Sequence, residues 1–72
     1  MAWDIQVTEA NVAEVDIVAE ALHSHLQEVL KEVQEYPVEI YVAGYRVTLE
    51  TEDDVRELLA WLQSEVRAIR AA

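Results

Sequence analysis

The chain has 72 residues, fifteen acidic and five basic, for a formal charge of −10, with no Cys, one Gly and one Pro. That length holds one hydrophobic core, so residues 1–72 are expected to form a single domain without disulfides, a thiol nucleophile or a Cys-based zinc site. The acidic excess argues against a nucleic-acid backbone or an anionic lipid surface as partner, since Lys and Arg hold both.

Trp3, Ile5 and Val7 alternate with Asp4, Gln6 and Thr8, the period of a half-buried strand. From Asn11 the period changes. Val15, Val18, Leu22, Leu26, Val29 and Val33 recur at spacings of three and four, which predicts one helix running to about Glu35. Asn11 followed by Glu14 reads as a capping box at its start. Pro37 stops it by forcing Tyr36 out of the α region.

Val38, Ile40 and Val42 then alternate with Glu39 and Tyr41, and Tyr45, Val47 and Leu49 alternate with Arg46 and Thr48. A two-residue loop at Ala43 and Gly44 pairs Val42 with Tyr45, Ile40 with Val47 and Val38 with Leu49, so that inward residues meet inward residues. Ala43 is not a favoured first residue of a type I′ turn, which leaves the turn type open. Thr51 caps a second helix, with Glu52, Asp53 and Asp54 in its first turn and Arg67 and Arg70 in its last, each suited to the helix dipole. Its expected core stripe is Val55, Leu58, Leu59, Leu62, Val66 and Ile69. Glu52 and Arg56 stand four apart, a pair worth about 0.3 kcal/mol.

The predicted architecture is α+β: βαββα, a three-stranded antiparallel sheet of order 1-3-2 with two helices on one face, ferredoxin-like but lacking the last strand. The outer edge of the first strand, Ile5 to Thr8, is then expected to be bare and open to a further strand. A first helix of about 24 residues spans about 36 Å, against about 20 Å for a six-residue strand, so one helix end is expected to overhang the sheet.

No catalytic, cofactor-binding or metal site is expected. His23 and His25 lie about 200° apart around a helix and cannot share a metal; Glu20 with His23 lacks the further ligands a site needs. Asp53 and Asp54 suit a helix N-terminus rather than an acid–base pair, and one Gly cannot build a phosphate loop. The open sheet face (Asp4, Gln6, Glu39, Tyr41, Arg46 and Thr48) offers one aromatic among acidic groups, which argues against RNA; Tyr41 opposite Arg46 suits a cross-strand pair. Ile17 is the misfit, an apolar residue directed to the polar side of its helix among Glu20, Ser24 and Gln27. Ile5, Val7, Ile17, Tyr41 and Trp61 are the candidate interface residues, the last because Trp is enriched at interface hot spots.

Matched caps, clean binary patterning, one Gly at the turn and one Pro at a boundary resemble computationally designed (de novo) α/β mini-proteins. That resemblance implies a non-catalytic binding or self-assembly scaffold; the bare strand edge and the helix overhang lead to the expectation of a homodimer or a protein partner, and the charge to neither nucleic acid nor membrane. The alternative is an acidic inhibitor of phage anti-defence type, presenting carboxylates in place of phosphates. Met1-Ala2-Trp3-Asp4 shows neither a basic region nor an apolar run, so no signal peptide is expected and a soluble, cytoplasmic protein is the default.

Overall fold

A computed structural model describes residues 3–71; Met1, Ala2 and Ala72, on which the leader and domain-end expectations partly fall, lie outside the described residues. Five elements follow in order: α1 (Val12–Ser24), α2 (Leu26–Glu32), β1 (Val38–Val42), β2 (Tyr45–Leu49) and α3 (Glu52–Ala71). The class is α+β, but the predicted βαββα arrangement is corrected in two places.

The hairpin forms in the expected register, Val38↔Leu49, Ile40↔Val47 and Val42↔Tyr45. Val42, Val47 and Leu49 are buried, while Glu39, Tyr41, Arg46 and Thr48 face outward. Ala43 (φ 50°) and Gly44 (φ 85°) both take positive φ, as a type I′ turn requires. Gly44 suits this conformation; Ala43 adopts it against its own Cβ sterics.

α3 starts where its cap residues place it. The Asp54 amide donates to Thr51 Oγ1 at 3.3 Å, and the Glu50 amide donates to Asp54 Oδ2 at 2.8 Å, so orphan amides at the helix entrance are satisfied from both directions. This explains how a carboxylate tolerates burial: Asp54 is 7% exposed and holds a main-chain donor. Val55, Leu58, Leu59, Leu62 and Val66 are buried below it, and Ile69 is half-buried. Arg56 pairs with Asp53 at 3.6 Å, one turn back, in place of Glu52.

The first correction concerns Trp3 to Thr8. Burial alternates as expected, with Ile5 buried and Asp4, Gln6 and Thr8 exposed. No ladder forms, and the sheet among the described residues has two strands rather than three. Asn11 supplies the physical reason. Its Oδ1 accepts from the Thr8 amide at 2.8 Å and its Nδ2 donates to the Gln6 carbonyl at 2.7 Å. Gln6 and Thr8 direct their main-chain groups to the same side of an extended segment, so one side chain occupies the groups that a neighbouring strand would use. Asn11 is thereby withdrawn from the expected capping box and makes no side-chain cap bond to α1, although its carbonyl accepts from the Val15 amide at 3.0 Å.

The second correction concerns the first helix. It divides at His25 (φ −117°, ψ 20°) and ends at Glu32, short of the expected Glu35. The His25 amide still donates to the Ala21 carbonyl at 3.0 Å, and its carbonyl accepts from the Val29 amide at 2.9 Å, so the chain bends without unwinding. α1 alone, with thirteen residues, runs about 20 Å, matched to the sheet. Beyond the break, Val29 lines the same open groove as Ile40 and Tyr41.

α1 packs on α3, α1 touches β1 and α3 touches β2, so two helices cover the inward face of the hairpin. α1 contributes Val15 and Ala19 to the core, and α2 contributes no buried residue. An Arg70 to Asp16 ion pair at 2.8 Å ties the end of α3 to α1. No described helix is long and apolar enough to cross a membrane.

Candidate functional site

An open apolar groove of about 390 Å³ lies between α1, the His25 junction, Val29 of α2 and β1. Val18 and Leu22 of α1, Val29 of α2 and Ile40 of β1 form its walls, with Ile17 and Tyr41 on the rim. Those four wall residues sit on inward stripes yet remain half-exposed, since nothing described lies over them. Ile17 is 69% exposed and Tyr41 70%, and they are the exposed large hydrophobic residues of the described chain. Scattered surface hydrophobes are ordinary; two meeting on one apolar groove are not.

The edge of β1 borders the groove. In a two-residue hairpin Val42 and Tyr45 exchange both main-chain bonds, so Glu39 and Tyr41 direct their N–H and C=O groups away from β2. Among the described residues neither group finds another partner. With two strands in the sheet among the described residues, the outer edges of β1 and β2 are both open, and the β1 edge is the one that borders the groove.

Charge surrounds this surface unevenly. Glu14 and Glu20 stand one helical turn to either side of Ile17, Glu32 one turn beyond Val29, and Glu39 next to Ile40, all exposed. His25 Nδ1 lies 3.3 Å from Glu28 Oε2, and Arg46 Nε lies 3.4 Å from Glu39 Oε2. Arg46 thus faces Tyr41 in register but directs its guanidinium to the carboxylate. Together α1, α2 and β1 carry six carboxylates and one lysine.

The expected interface residues separate in space. Ile17 and Tyr41 come together on the groove. Ile5 is 4% exposed, so its side chain belongs to the core rather than to an exposed interface. Val7 and Trp61 are half-buried against the core, and Trp61 does not line the groove. Sequence reasoning missed Val18, Leu22, Val29 and Ile40 as site residues because their stripe positions read as core. One signal for them existed: Ala13, Ile17 and Ala21 recur at spacing four beside that stripe and widen the apolar face beyond what the fold covers.

A second, larger cleft of about 550 Å³ lies between α1 and the end of α3, lined by Asp16, Glu20, His23, Arg67 and Arg70 among others. Its charges largely offset one another, with Asp16 held by Arg70. No three described His, Cys, Asp or Glu side chains gather closely enough to hold a metal. No protein-family model matches the chain, and no curated protein or solved structure matches it.

Proposed function

We propose that the chain is a non-catalytic protein-binding module that receives an apolar side chain of a partner protein in the groove between α1, α2 and β1. One observation carries this: Ile17 and Tyr41, the exposed large hydrophobic residues, converge on a single concave surface. Covering an exposed side chain of this size contributes about 1.5–3 kcal/mol, so two together with the groove walls supply a useful anchor. The groove walls are hydrocarbon, with His25 and Tyr41 the polar-tipped side chains that line it, which suits recognition rather than bond chemistry.

Methyl-resolved NMR tests the site directly. Titrating isopropanol, as a stand-in for a branched aliphatic side chain, should shift the methyls of Ile17, Val18, Leu22 and Val29 saturably and leave those of Leu58 and Leu62 in place. Ile17→Asp should abolish the saturable shifts. Equal, unsaturated drift at every surface methyl would remove the groove as a receptor and return the acidic nucleic-acid mimic, in which the carboxylates alone make contact, as the better account.

A further inference from the structure

We infer that the groove's occupant is a cationic segment in extended conformation, added as a third strand to the free edge of β1 with an apolar side chain seated against Ile17, Val18 and Val29. This rests on the binding function proposed above and specifies the chemistry and backbone geometry of the partner. Two independent features carry it: the unpartnered main-chain groups of Glu39 and Tyr41, and the charge of −10, with exposed Glu14 one turn from Ile17 and exposed Glu39 next to Ile40.

An incoming strand bonds to Glu39 and Tyr41 through its own main chain, the recognition mode in which backbone bonds hold the ligand and pockets select its side chains. Successive residues of that strand point to opposite faces. Those directed inward reach the hydrocarbon of Ile17, Val18 and Val29; those directed outward lie beside Glu39 on the open face. Alternating apolar and basic residues satisfy both faces at once. The inward end also approaches Glu14, one helical turn before Ile17. A second copy of this chain fits poorly as occupant, because it brings another ten negative charges and presents Glu39 again at its own β1 edge.

The test uses the full chain and a dye-labelled heptapeptide alternating Lys and Leu, followed by fluorescence anisotropy, with amide exchange read at Glu39 and Tyr41. The peptide should bind, slow exchange at those two amides and weaken as salt rises. Ile17→Asp should reduce affinity by about tenfold even though it adds negative charge, which attraction by charge alone would convert into a gain. Tyr41→Ser should weaken binding in the same direction and serves if the Ile17 variant fails to fold. The same peptide with alternate amides N-methylated should also lose about tenfold.

The failures are distinguishable. If the N-methylated peptide binds as tightly while Ile17→Asp and Tyr41→Ser still weaken it, strand addition is overturned and the groove remains a binding site. If no variant or methylation matters and salt alone controls affinity, the acidic surface attracts any polycation and both proposals fall. Sedimentation of the protein without peptide as a dimer that Ile17→Asp dissociates would assign the groove to a second copy and overturn the cationic occupant.

Discussion

α3 uses twenty residues and buries six of them, whereas α1 and α2, with thirteen and seven, bury Val15 and Ala19 alone. Both arms carry apolar stripes at helical spacing. The difference lies in what each stripe faces: α3 meets α1 on one side and β2 on the other, while α2 continues from α1 without a comparable surface to pack on. Periodicity marks a face as fit for burial, and burial itself needs a second surface. Where that surface is missing, the stripe becomes the wall of a groove.

Paired substitutions put this contrast to the test, beginning with the largest effect. Leu58, fully buried in α3, should cost about 2–5 kcal/mol when changed to Ala, a large share of the stability of so small a chain. Leu30, half-buried in α2 at the margin of the core, should cost about 1 kcal/mol or less, because only part of its side chain leaves water. Urea titration followed by circular dichroism measures both, and equal losses would show that α2 is packed as firmly as α3.

The two helix entrances differ in the same way. Thr51→Ala removes a bond made to α3 itself and should destabilise the whole fold by about 1 kcal/mol. Asn11→Ala removes no cap bond from α1; it frees Gln6 and Thr8 instead. Amide exchange should quicken at Thr8 and stay unchanged through α1. Faster exchange along α1 would mean that Asn11 is a helix cap after all.

The smallest expected change is a gain. Ala43→Asn places at a left-handed position a residue that tolerates it, and should raise stability by up to about 1 kcal/mol, seen as a higher thermal midpoint. No gain would indicate that the hairpin turn relaxes freely, which would weaken the assignment of β1 as the rigid border of the groove.

Much of the C-terminal half was legible in the residues. Alternation on either side of a two-residue loop admits one register that keeps Val42, Val47 and Leu49 on the same face, and the structure has that register. Thr51 and the acidic residues after it mark the start of α3 by local chemistry. Ile17 and Tyr41 were legible as candidates, Ile17 because it breaks its helix pattern. Trp3 to Thr8 misled because alternation records which side chains turn inward and says nothing about whether a neighbouring backbone is available to bond. The long helix misled because a stripe continues in sequence past the point where the sheet beneath it ends.

From the amino acids alone came the class, the hairpin register, the capped final helix and an acidic surface, all properties set by neighbours a few residues apart. Three outcomes belonged to the tertiary structure: Asn11 claiming the backbone of Gln6 and Thr8, the break at His25, and the groove left open between α1, Val29 and β1. Each depends on which surfaces meet once the chain is folded, and an apolar residue carries the same local signature whether its partner surface is present or missing.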